Sequence, residues 1–258
     1  MVLSKRYDIV ETIKNIIRAA FFQGNVQIGG AMWFFQTLFI VLIIYTIIEF
    51  LIRKKSANEN SIIIIQTIMA SVFLVIGYKF HLENKTLYGL ERVFSVYSMI
   101  HLGRLIKCYG VMERLYKRCK GEIWIIISFI ILLLGYHRGY IALDGNNIEN
   151  PFFFILMSMS GWILLYSISC ILKKYNLRVN KGLMYISQHS IPIIALHFLC
   201  FKLVNYLEII FYHMPKYMIA AFPVLISNGL WWIIYTVIGI GVPLLLRIII
   251  LKIYKIVK

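Results

Sequence analysis

The sequence predicts an all-α, polytopic membrane helix bundle of about seven transmembrane helices, preceded by an interfacial amphipathic helix. Three observations predict it. Of the 258 residues, 60% are hydrophobic, and the mean hydropathy is +0.79. No soluble domain needs that much apolar surface. The apolar residues come in runs long enough to cross a bilayer. The basic residues cluster at the ends of those runs, as cytoplasmic anchors do. That clustering also argues against nucleic acid as the reason for a net charge of +16.

Ser4–Gln23 is too polar to span. Ile9, Val10, Ile13, Ile16, Ile17, Ala20 and Phe21 share one helical face opposite Lys14 and Arg18, the pattern of a helix at the membrane surface. Gly24, Gly29 and Gly30 then mark a turn. Seven spans follow, near Ala31–Ile52, Ser61–Phe80, Leu87–Lys107, Glu122–Tyr136, Pro151–Leu172, Met184–Ile209 and Asn228–Ile250. The first is roughly 33 Å long as a helix, against a hydrocarbon core of about 30 Å. The third carries Glu91, Arg92, His101 and Arg104, which make it a packed interior helix or an interfacial one. Neither a repeat nor a low-complexity linker divides the chain, so residues 1–258 read as one membrane domain.

Most of the 27 Lys and Arg lie in one set of alternate loops and in the C-terminal tail. Positive-inside logic puts that tail in the cytoplasm and the start of the first span outside. No signal peptide is predicted, because the N-terminus is charged and lacks a short apolar core with a cleavage site. Cys108, Cys119, Cys170 and Cys200 have no CxxC spacing, and no histidine pair sits at i, i+4 beside a carboxylate. Neither a disulfide framework nor a metal site is predicted.

The candidate chemistry centres on Tyr185–Leu203, an apolar stretch with His189, Pro192 and His197. Ionisable groups inside a span are costly. His197 falls near mid-membrane, and His189 about 12 Å nearer the cytoplasm. Pro192 cannot donate to the Gln188 carbonyl, so a kink is expected beside His189. A neutral imidazole there suits a general base towards a hydroxyl. The alternative is an interhelical hydrogen bond that only holds the bundle together. Trp33 opens the first span as a belt anchor or a sugar-stacking residue. The loop Tyr136–Pro151 gathers His137, Arg138, Asp144, Asn146, Asn147, Glu149 and Asn150, either as partners for sugar hydroxyls or as an ordinary solvated loop. The basic loop Arg104–Lys120, with Arg104, Arg114, Lys117 and Arg118, fits the phosphates of a nucleotide-containing donor or anionic lipid. His81, His101 and His213 read as structural.

Three stretches carry a family resemblance. GAMWFFQTLFIV, DGNNIENPFFFILMSMSG and YISQHSIPIIALHFLCFKL, in that order, resemble motifs of the integral-membrane acyltransferase family 3, in particular its fucose 4-O-acetylase-like branch. The set covers most of the chain from about Gly29 onward. No single motif is very specific, and the ordered set is moderately so. The resemblance implies a multi-pass enzyme of the bacterial plasma membrane. It would move an acyl group, usually acetyl, from acyl-CoA to a hydroxyl of a surface polysaccharide or lipid-linked glycan, with no bound cofactor. Trp33, Asn150, Ser190 and His197 fall on family motif positions, and His189 on a variable one. His197 would be catalytic. Trp33, His137, Arg138, Asn150, His189 and Ser190 would face the acceptor, and Arg104, Arg114, Lys117 and Arg118 the donor. Ser187 and Gln188 stand where the family often has Gly-Lys. Family members usually have about ten spans, and nothing before Ala31 matches their opening helix. The chain is therefore expected to be the C-terminal seven spans of such an enzyme. A glycan-lipid transporter is the rival reading, motivated by Pro192 and by Gly239-Ile240-Gly241-Val242-Pro243. An inactive remnant is the third.

Overall fold

The computed structural model describes residues 33–55, 58–87, 89–118, 121–175 and 177–257. The expected surface helix Ser4–Gln23 and the glycine turn after it lie outside the described residues. Nine α-helices and one short β-hairpin are described: α1 Trp33–Lys55, α2 Glu59–Leu82, α3 Glu91–Cys108, α4 Val111–Arg118, α5 Gly121–Tyr136, β1 Ile141–Ala142, β2 Asn147–Ile148, α6 Pro151–Tyr175, α7 Leu177–Gln188, α8 Ser190–Phe211 and α9 Trp231–Val257. This is an all-α membrane fold. Each of the seven expected segments is helical. Among the described residues five helices are long and apolar enough to cross a membrane (α1, α2, α6, α8 and α9). A sixth span exists if Val111–Lys117 and Gly121–Tyr136, bent by 113° at their break, count together. The chain divides into two compact units, Phe34–Asn180 and a second that contains Lys181–Lys258.

Three segments depart from expectation. The helix α5, with 16 residues, is a span only if joined to α4. The helix α3 has only 18 residues and carries Glu91, Arg92, Arg104 and Lys107, so it fails as an independent span. It is instead the packed interior helix, burying Glu91, Arg92, Val93, Ser95, Tyr97, Ser98, His101 and Ile106. The span expected to begin at Met184 begins at Ser190. Pro192 lies in the first turn of α8, where a missing N–H costs nothing, and His189 separates α7 from α8. The expected kink is therefore a helix break.

Within Phe34–Asn180, α1, α2 and α3 pack through Val41, Tyr45, Ala70, Val93 and Tyr97. The helices α2 and α3 approach each other closely at Gly77, where an added Cβ would lie 2.3 Å from Ser95 Oγ and 3.2 Å from Ser95 N. Only a residue without a side chain lets the two backbones approach so far. A second cluster joins Leu74, Ile148 and Phe154. It ties the β-hairpin, paired at Ile141↔Ile148 and Ala142↔Asn147, to α2 and α6.

That hairpin corrects the reading of Tyr136–Pro151 at one residue, Asn146, which is buried, while His137, Arg138, Asp144, Asn147, Glu149 and Asn150 are exposed. Asn146 is 1% exposed and sits in the left-handed region, at φ 51°. Its Nδ2 donates to Gly77 O at 2.9 Å, and its Oδ1 accepts from Ser95 Oγ at 2.9 Å. Asn is among the few residues that tolerate this backbone while offering both a donor and an acceptor. Asn146→Ala is expected to destabilise the fold by about 2–4 kcal/mol, through two orphaned buried groups and the strained backbone. Thermal unfolding in detergent checks it. Asn146→Gly, which relieves only the backbone, should recover a minor part of the loss.

Candidate functional site

The helices α8 and α9 form an antiparallel pair. Along α8, His197, Phe201, Asn205 and Glu208 recur at helical spacing and share one face. Opposite them α9 presents Tyr235 and Gly239, four residues apart. A Cβ on Gly239 would sit 2.6 Å from Phe201 Cε1 and 3.5 Å from His197 Cβ, so the glycine makes room for that ring.

His197 is half-buried. Its Nδ1 lies 3.0 Å from the Ile193 and Ile194 carbonyl oxygens. Carbonyl oxygens only accept, so Nδ1 carries the hydrogen, and a neutral ring then holds its lone pair on Nε2. No described residue hydrogen-bonds Nε2. The ring packs against Phe198, centroids 4.1 Å apart, and edge-on to Phe201 at 5.4 Å. A base with a fixed tautomer and a free lone pair, set among aromatic rings, can take a proton from a hydroxyl placed against it.

His189 is held the same way. Its Nδ1 lies 2.7 Å from Tyr185 O, and its ring lies against Tyr185. Ser190 follows as the first residue of α8. These three expected site residues thus share one stretch of chain.

Two turns beyond His197 lies a polar cluster that the sequence reading missed. Glu208 is 0% exposed, and Asn205 is equally buried. Tyr235 Oη lies 2.6 Å from Asn205 Oδ1 and 2.8 Å from Glu208 Oε2, and accepts from Leu225 N at 3.1 Å. Asn205 Nδ2 donates to Ala221 O at 3.1 Å, as does Lys202 Nζ at 2.5 Å. Glu208 Oε1 is buried without a hydrogen-bond partner among the described residues. The signal for this cluster was Lys202, Asn205 and Glu208 recurring every three residues in an apolar helix.

In Phe34–Asn180 a second polar network joins α1, α2 and α3. Tyr45 donates to Gln66 Oε1, which also accepts from Arg104 Nη1 at 3.0 Å. His101, read as structural, is buried with both nitrogens bonded: Nδ1 to Tyr45 Oη at 3.1 Å and Nε2 to Thr67 Oγ1 at 2.9 Å. With the phenol proton on Gln66, His101 Nδ1 donates to Tyr45, while Thr67 Oγ1, beside Nε2, donates to Ile63 O at 2.8 Å. Arg104 is further paired with Glu49 at 2.7 Å and Glu59 at 3.7 Å, and Arg53 bridges the same two carboxylates.

The remaining expected residues lie on other elements. Arg104, assigned to a donor's phosphates, has its guanidinium committed to two carboxylates, an amide and a phenol, because its own unit supplies them. Arg114 and Lys117 are exposed on α4, and Arg118 ends that helix. His137 and Arg138 are exposed just after α5. Asn150 serves as a cap: its Oδ1 accepts from Phe152 N at 2.8 Å and Phe153 N at 3.3 Å, with Pro151 at the first position of α6. Trp33 is half-buried at the start of α1. No family model matches the chain, and comparisons with curated proteins and with solved structures return no match.

Proposed function

We propose that this multi-pass membrane protein carries part or all of an O-acyltransferase, which moves an acyl group, usually acetyl, from acyl-CoA to a hydroxyl of a surface polysaccharide or lipid-linked glycan. The observation that carries the reading is the tautomer of His197, held by its own helix with Nε2 bonded to no described residue. The ordered motifs around Trp33, Asn150, Ser190 and His197 support it. In the transfer, His197 Nε2 takes the acceptor hydroxyl proton as that oxygen attacks the thioester carbonyl. The carbon–sulfur bond then breaks, and the proton passes to the coenzyme A thiolate. Arg114, Lys117 and Arg118 attract the donor's phosphates from the cytoplasmic side of a bacterial plasma membrane. His137 and Arg138 meet the glycan on the opposite side, and the C-terminus is cytoplasmic.

The test is transfer of labelled acetyl from acetyl-CoA to glycan. Membranes expressing this chain are compared with membranes expressing it together with any in-frame upstream sequence. Labelled glycan above the level of membranes without the protein is expected. No labelling from either preparation would overturn the reading.

A further inference from the structure

The cluster around Glu208 poses a counting problem that proton placement must solve. Tyr235 has one hydroxyl hydrogen and two acceptor oxygens within reach, Asn205 Oδ1 at 2.6 Å and Glu208 Oε2 at 2.8 Å. Rotating the Asn205 amide is no remedy. Its Nδ2 already donates to Ala221 O, and the flipped group would set two carbonyl oxygens against each other. Leu225 N–H occupies one lone pair of Tyr235 and supplies nothing to the carboxyl group. Lys202, the nearest cation on α8, is spent on Ala221 O and lies 6.0 Å from the Phe222 ring centroid. The Ile226 amide faces the carboxyl group without meeting Oε1 in a hydrogen bond. An ionised Glu208 would therefore hold a negative charge at 0% exposure with too few donors, next to an orphaned Asn205 or an orphaned Oε2.

One added proton resolves all of it. With hydrogen on Oε2, Glu208 donates to Tyr235, Tyr235 donates to Asn205, and Asn205 donates to Ala221 O. Tyr235 then has one donated and two accepted bonds, its full complement. The oxygen left over, Oε1, is the carbonyl oxygen of a neutral acid, whose burial costs far less than that of a charged one.

We infer that Glu208 is a proton-binding site, occupied at neutral pH, which clamps the segment 221–226 onto α8 and α9 through the chain Glu208–Tyr235–Asn205. The ligand is a proton, not a metal cation, because Lys202 already points its charge at Ala221 O, the carbonyl a cation would share. The site is separate from His197. The Phe201 ring stands between them, edge-on to His197 at 5.4 Å and to Tyr235 at 5.1 Å, and it carries no proton. The inference does not rest on acyl transfer.

Infrared spectroscopy of the purified protein at neutral pH reads the proton directly. A protonated-carboxyl stretch is expected that disappears in Glu208→Gln. In Tyr235→Phe the same stretch should persist at higher frequency, because the acid has lost its acceptor. Hydrogen exchange reads the clamp. Glu208→Gln, which still donates to Tyr235, should leave residues 221–226 as protected as wild type, while Glu208→Ala exposes them. A wild-type versus Tyr235→Phe difference spectrum with only ionised-carboxylate bands would overturn the inference. So would exchange in Glu208→Gln as fast as in Glu208→Ala.

Discussion

Replacing His197 by Asn should lower acyl transfer by about 10²–10⁴-fold, the usual contribution of a positioned general base. Asn is the informative choice. Its amide can donate to the Ile193 carbonyl as Nδ1 does, so the helix and the aromatic packing survive while the basic lone pair is lost. Because the function proposed for His197 is proton removal in the transition state, kcat should fall with little change in KM. His197→Ala should show the same loss of rate, with some loss of stability from the cavity beside Phe198 and Phe201. Rates are compared at equal levels of folded protein. Full transfer by the Asn variant would remove His197 from the chemistry and leave it a packing residue. His189→Asn serves as a companion measurement. Its ring lies at the α7–α8 break, and its loss should cost less than that of His197.

The second large effect is on stability. Arg104→Ala should destabilise Phe34–Asn180 by about 2–3 kcal/mol, because removing the least exposed member of the charge cluster strands the buried Gln66 and Tyr45 and the half-buried Glu49. Arg104 is 18% exposed and binds Glu49, Glu59, Gln66 and Tyr45. Its removal leaves Glu49 facing α3 with Arg53 alone, and Gln66 Oε1 with the Tyr45 proton alone. Gln66 Nε2 is already buried without a partner, so the network has little reserve. Arg53→Ala, at the more exposed end of the same cluster, should lower the unfolding temperature far less. Thermal unfolding in detergent separates the two. Equal, small shifts would mean the cluster is solvated rather than structural. Arg104→Lys should recover part of the loss, since an ammonium keeps the charge but not the forked geometry.

Much of the helical layout was legible because the bilayer imposes length and apolarity on any span. Those properties are written locally in the runs around Val41, Ile62–Ile65 and Leu244–Ile250. The helix start at Pro151 was equally local, because Asn-Pro signals a cap and a first helical turn. The third segment shows the boundary of such reading. Its charges excluded a lipid-facing helix, yet only the packed structure could tell an interior helix from an interfacial one. Asn146 marks a different boundary. An Asp-Gly-Asn turn has the composition of a solvated loop, and its burial depends on Gly77 and Ser95, far away in the chain. The same holds for Arg104, whose partners Glu49 and Glu59 belong to two other helices. Composition placed it among phosphate-binding cations, and only the structure shows its long-range pairing. For His197, spacing identified the residue, but its tautomer needed the positions of two carbonyl oxygens.

The close approach at Gly77 has an evolutionary consequence. A mutation that gives residue 77 a side chain meets Ser95 Oγ at 2.3 Å, and trimming Ser95 to make room removes the hydroxyl that bonds Asn146. Positions 77, 95 and 146 are thus free to drift only together. Related chains should hold Gly, Ser and Asn there as a set or exchange all three at once, and lineages that change one alone should be rare.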